Sequence, residues 1–101
     1  MHYLLIYDLA SDYIERRVEF RSEHLAMAWK AHERGELILG GSLADPVDCA
    51  ILLFHGDSSA VAENFVKSDP YVKNGLVKSW HVRPWTTVVG EAASSPVLPE
   101  A

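Results

Sequence analysis

The chain of 101 residues has a single cysteine, no apolar run long enough to span a membrane, and only nine lysines and arginines against fourteen acidic residues. Each shortage excludes a class of protein. One thiol, Cys49, makes no internal disulfide and no cysteine-based zinc cluster. It opens the apolar stretch VDCAILLF with no cationic neighbour, so it reads as an inert thiol rather than a nucleophile. A bilayer span needs about twenty apolar residues, and no membrane partner is expected. The formal net charge is −5 and the only adjacent basic pair is Arg16-Arg17, which leaves no stripe for a phosphate backbone. Nucleic acid is therefore not an expected partner. The apolar start MHYLLIYDLA lacks the basic region and small-residue cleavage site of a signal peptide, so a cytoplasmic location is expected. There is no P-loop, no GxSxG elbow and no dinucleotide fingerprint. His2, His55 and His81 have no HxH or HxxxH partner, so neither a metal nor an organic cofactor is expected.

What remains is an ordinary globular composition, 49% hydrophobic and 23% charged, on the scale of one domain. His2 to Leu9 reads as a strand. Ser11 or Asp12 caps a helix running to about Arg34, closed by Gly35. The helix carries an apolar stripe at Ile14, Val18, Arg21, Leu25, Ala28 and His32, and this face is expected to be inward. LILGGSLA is the second strand, where Gly40-Gly41 suggests a bulge or a close approach. CAILLFHG is the third strand. Ser58 or Ser59 opens a second helix that stops before Pro70. Asp69 then caps one short turn, with Pro70 in its first position and Asn74-Gly75 closing it. Val77 to Val89 is the last strand, and Pro84 places it at an edge or bends it. Residues 1–89 form the domain, and 90–101 read as a loosely ordered tail.

The order β-α-β-β-α-β is a ferredoxin-like α+β plan: four antiparallel strands with helices on one face. A sheet covered on one side should alternate apolar and polar residues. YLLIY and AILLF do not, so the second face needs a cover, and the chain has no further element to supply it. A homodimer with its sheets packed face to face is the expected answer.

His24 lies on a second apolar flank of the long helix, with Phe20, Met27 and Ala31. It suits either a packed histidine or a titratable group beside a pocket, since an imidazole ordinarily titrates near pH 6.5. Asp69 follows Phe65 by one turn and can serve both as a helix cap and as a partner for His24, because a carboxylate has two oxygens. Such a pairing holds one imidazole tautomer. Arg21, one turn before His24, must either pair with an acid such as Glu63 or Asp69 or bind an anion. Ser42, just past the two glycines, can offer a hydroxyl to the same space.

Four motifs in order, RSEHLAMAW, GELILGGSLAD, SDPYVKNGLV and VRPW, resemble the YCII (YciI-like) family over residues 2 to 87. The resemblance implies a dimeric α+β barrel and a pocket between helices and sheet, with His24 and Asp69 as the family His and Asp and Arg21 as its Arg. Some members are described as dehydrochlorinases of chlorinated hydroxyhydroquinones, and the fold is shared with muconolactone isomerases and antibiotic-biosynthesis monooxygenases. One departure is Ser42, where the family often has proline. The expectation is a cofactor-independent isomerase or lyase acting on a small, partly apolar cyclic compound. His24 would be its acid or base, Asp69 the group that orients it, and Arg21 or Ser42 the substrate-binding groups. The alternative is a dimeric ligand-binding or accessory module without chemistry.

Overall fold

The computed structural model describes residues 1–100. The elements are β1 (His2–Leu9), α1 (Tyr13–Glu33), β2 (Leu37–Ser42), β3 (Cys49–His55), α2 (Ala60–Ser68), the single turn α3 (Pro70–Lys73) and β4 (Val77–Trp85). The four strands form one antiparallel sheet in the order β2-β3-β1-β4. This is the ferredoxin-like α+β arrangement. Proline in β4 is tolerated because β4 is an edge strand.

Strand residues alternate between faces, and the register assigns them. Tyr3, Leu5 and Tyr7 of β1 pair with Phe54, Leu52 and Ala50 of β3. All six are buried on the helix side, where Leu37, Ala62, Phe65, Val66 and Leu76 complete the core. The opposite face carries Leu4, Ile6, Ile51 and Leu53, all half-buried, and Leu39, which is 73% exposed. Among the described residues no element covers that face.

The loops follow their sequences closely. Gly35 follows Arg34, the C-cap of α1, at φ +80°, a left-handed conformation that glycine adopts without strain. Gly40 lies where a Cβ would sit 3.3 Å from Cγ of Leu52, so the close approach expected there is to β3. The β2–β3 register slips just before it, between Leu37 and Leu39. Asp69 caps α3 through its side chain, accepting from the Tyr71 N–H, with Pro70 in the first turn.

Two expectations need correction. The inward face of α1 is Tyr13, Arg17, Phe20, His24, Met27 and Ala31, spaced by four and three. The stripe expected inside lies one residue further round, about 100° away: Ile14 is 45%, Val18 79% and Leu25 40% exposed. The face that packs carries Tyr13 and Phe20, whose rings bury more area than Ile14 and Val18 offer. It also carries His24, which bonds into the core. The second correction is the end of β4 at Trp85 rather than Val89. Trp85 pairs with His2, the first residue of β1, so no partner strand remains beyond it. The chain then turns near Gly90, and Ser95 and Val97 donate back to the carbonyls of Thr87 and Val88.

Candidate active site

The site begins with a carboxylate that the fold places fully inside. Asp69 is the residue between α2 and α3, and its side chain has no exposure. An acid in such a position is costly unless each oxygen is hydrogen-bonded. Here Oδ1 accepts from the Tyr71 backbone N–H at 3.0 Å and lies 2.8 Å from Nδ1 of His24. Oδ2 accepts from the Tyr7 hydroxyl at 2.7 Å. A carboxylate only accepts, so Nδ1 of His24 carries the proton it shares with Asp69. The cap and the histidine pairing therefore coexist, and both fall on the same oxygen.

His24 is held on three sides. Besides Asp69, its ring stacks on Tyr71 at 3.9 Å between centroids and 9° between planes, and meets the edge of Phe65 at 6.2 Å. With Nδ1 engaged, Nε2 is the free ring nitrogen. Among the described residues it has no partner, and no buried side-chain nitrogen or oxygen lacks one, so Nε2 is not sealed from solvent. His24 lines a cavity of about 380 Å³ between α1 and the β2–β3–β1 part of the sheet. A donor-fixed tautomer with an accessible second nitrogen is the arrangement of a general base.

The cavity walls divide by chemistry. Leu9, Leu25, Ala28, Trp29, Leu37 and Leu52 make the apolar part. Tyr7, Tyr13, Tyr71, Arg17, Arg21, His24, His32 and Ser42 make the polar part, and no acidic side chain lines it. Burial, followed by the charge of Asp69, raises the Tyr7 phenol far above its ordinary range, so Tyr7 acts only as a neutral donor to Asp69. Burial also pushes the Tyr71 phenol up to about 12, while Arg21 and Arg17 draw it the other way. Burial, with Asp48 and Asp8 nearby, pushes the Cys49 thiol up, which makes it a poor nucleophile. His32 donates through Nδ1 to the Leu37 carbonyl at 2.7 Å, tying the end of α1 to β2.

The four residues singled out in the sequence thus border one cavity or its supporting shell. His24 and Asp69 are in direct contact. Arg21 and Ser42 line the same cavity from α1 and β2. The salt bridge from Arg21 to Glu63 or Asp69 does not form. Sequence reasoning missed Tyr7, Tyr71 and Arg17. Tyr71 stands in the quoted Asp-Pro-Tyr stretch, and Tyr7 has the parity of the buried β1 residues, so both carried a signal. Among the described residues, no group of three or more His, Cys, Asp or Glu side chains is arranged to hold a metal ion. No helix among them is long and apolar enough to cross a membrane.

Comparison with known proteins agrees with this fold. The profile of the YCII-related domain matches residues 1–86. No curated protein matches the chain significantly. Among solved structures, it resembles the 5-chloro-2-hydroxyhydroquinone dehydrochlorinase of Burkholderia phenoliruptrix in complex with 2,5-dihydroxybenzoquinone. That likeness has a TM-score of 0.72 at 20% identity, over 86% of this chain and 95% of the other. It also resembles a NIPSNAP family protein of Agrobacterium tumefaciens, with TM-score 0.56 and 16% identity over 92% and 95% of the two chains. A further protein of the same organism gives TM-score 0.56 and 13% identity over 93% and 98%. At these identities the structural likenesses establish the fold.

Proposed function

The chain belongs to the YCII-related domain family, and from that premise we propose that it is a cofactor-independent enzyme of the cytoplasm, a proton-transfer isomerase or lyase for a small cyclic compound. The observation that carries this reading is the accessible Nε2 of a histidine whose Nδ1–H is held by a fully buried aspartate. In the proposed reaction Nε2 takes a proton from a ring hydroxyl or carbon of the substrate. The freed electron pair enters the conjugated ring. In a lyase the carbon bearing the leaving group is protonated first, and loss of a second proton from a ring hydroxyl then expels that group, for example as chloride; in an isomerase the pair is protonated at another carbon. Neither course needs an oxidant. Asp69 is the positioning residue: it fixes the tautomer and stabilises the imidazolium that forms. Arg21 and Ser42 bind the substrate's oxygens. A positioned acid-base group contributes about 10²–10⁴-fold in rate.

The dehydrochlorinase of similar fold suggests the first substrate to try. With 5-chloro-2-hydroxyhydroquinone, loss of a proton and of chloride leaves a hydroxyquinone, with atoms and electrons balanced. Release of chloride by the wild-type chain, reduced at least a hundredfold in His24→Ala with an unchanged fold, supports the reading. Full activity in His24→Ala, on this or any other substrate found, ends the role of His24. If the wild type binds cyclic ligands but turns none over, the chain is instead a ligand-binding module, a reading for which the cavity alone suffices.

The proposal includes a homodimer packed sheet to sheet. Leu39, Ile51, Leu53, Leu4 and Ile6 form a contiguous apolar face opposite the helices. A second copy offers the same face by two-fold symmetry.

A further inference from the structure

Four arginines lie on or beside α1, and they divide into two pairs. Arg16 bonds the Asn74 carbonyl and sits near Asp12, while Arg34 pairs with Glu36. Arg17 and Arg21 have no such partner. Among the described residues neither has a carboxylate within 4.0 Å or a hydrogen bond to any acceptor. The helix itself offers them none. The residues three and four positions from Arg17 are Ile14, Phe20, Tyr13 and Arg21, and those from Arg21 are Val18, His24, Arg17 and Leu25. Each arginine's only charged neighbour along the helix face is thus the other arginine, or a histidine. Like charges at this spacing destabilise a helix by about 0.2–0.5 kcal/mol.

Both residues nevertheless line the cavity beside His24, Arg21 from an exposed position. Arg17 is half-buried, with its Cζ 5.5 Å from the Tyr13 ring centroid, which anchors it over the cavity wall. Among the described residues the hydroxyls of Tyr13 and Tyr71 have no partner and are not buried unsatisfied atoms, so they too are not sealed from solvent, and both residues line the cavity. In a chain with net charge −5, the cavity concentrates hydrogen-bond donors and positive charge and has no acid of its own.

We propose that Arg17 and Arg21 form a two-guanidinium clamp, and that the ligand class of this cavity is a planar aromatic or quinonoid anion whose charged oxygens lie against them. Nothing in the sequence had singled out Arg17. The proposal deepens the proton-transfer reading and rests on it for placing the ring beneath Nε2; the binding does not depend on turnover. A guanidinium fork matches paired anionic oxygens, which a point charge does less well. The clamp also has a use in the reaction: negative charge that enters the ring when His24 removes a proton spreads onto the same oxygens.

The test uses salicylate and its neutral counterpart salicylamide, titrated against the full chain and followed by NMR or calorimetry. Salicylate is expected to bind at least tenfold more tightly, and to weaken as salt is raised. Arg17→Met and Arg21→Met should each weaken salicylate about tenfold while leaving salicylamide unchanged. Arg17→Lys and Arg21→Lys should fall in between, because the charge stays and the fork is lost. Each Met variant relieves the like-charge pair and should melt no lower than the wild type, which separates lost binding from lost folding. Equal binding of the two probes, no binding of salicylate, or insensitivity to both Met substitutions overturns the clamp. If the arginines control salicylate binding but His24→Ala keeps full turnover, the clamp stands and the proton-transfer reading falls.

Discussion

Replacing Asp69 with asparagine changes almost no volume and alters every hydrogen bond around the carboxylate. Three donors converge on it: the His24 Nδ1–H at 2.8 Å, the Tyr71 N–H at 3.0 Å and the Tyr7 hydroxyl at 2.7 Å. An amide presents one accepting oxygen and one NH₂. If the oxygen takes the Oδ1 position, His24 and Tyr71 keep their acceptor and the NH₂ meets the Tyr7 hydroxyl. Tyr7 is 1% exposed, so its proton has nowhere else to go. A buried donor left unsatisfied costs about 1–3 kcal/mol, and a bond to a neutral rather than a charged acceptor is weaker by roughly 1 kcal/mol. The smaller desolvation cost of an uncharged group offsets part of this. The net expectation is a loss of about 2–3 kcal/mol, which for a domain of this size lowers the melting temperature by roughly 10–20 °C. Thermal unfolding by circular dichroism reads it directly. Turnover should also fall by about 10²–10⁴-fold at temperatures where the variant is folded, because a neutral amide no longer stabilises the imidazolium that forms when Nε2 takes a proton. A melting temperature within about 2 °C of wild type would refute the reasoning, since it would mean that the buried network contributes nothing.

Other expectations follow from the same structure. The phenols of Tyr7 and Tyr71 both stand above the ordinary value of 10.0, Tyr71 at about 12. Both groups therefore hold their protons more tightly when folded, and the stability they contribute is intact below about pH 10. That stability should decline as pH rises through 12 and beyond, and phenolate absorbance should show these two tyrosines ionising late, with unfolding. Full ionisation of all four tyrosines near pH 10 in the folded state would contradict their placement. Ile51→Arg puts a charge in the middle of the uncovered sheet face without touching the helix side; light scattering should show a dimer reduced to a monomer. A wild type that is itself monomeric at high micromolar concentration would remove the sheet-to-sheet proposal.

Most of the fold is legible in the sequence because its punctuation is chemical. Gly35, Asp69-Pro70 and Gly75 each have one low-energy use, and the structure puts them to it. The strands are recognisable by their apolar runs, and Pro84 correctly marks an edge. The rotation of α1 was not legible. The helix has two neighbouring apolar flanks, and periodicity does not rank them. What decides is tertiary: Tyr13 and Phe20 pack against the core, and His24 reaches Asp69 across 45 residues of chain. The end of β4 depends on where β1 begins, which no local pattern records. The pairing of His24 with Asp69 was accessible because both residues fall on faces that a ferredoxin-like plan turns toward each other. Tyr7 was harder, since nothing in a tyrosine on a strand announces that its hydroxyl will meet a buried acid.

The proposed chemistry depends on which nitrogen of His24 carries the proton. Nitrogen-15 chemical shifts of the His24 ring, read in the folded protein at a pH where the ring is neutral, decide it. The expected result is a protonated Nδ1 and a bare Nε2. A proton residing on Nε2 in the wild type would contradict the account, because the ring would then present the cavity with a donor where a base is required.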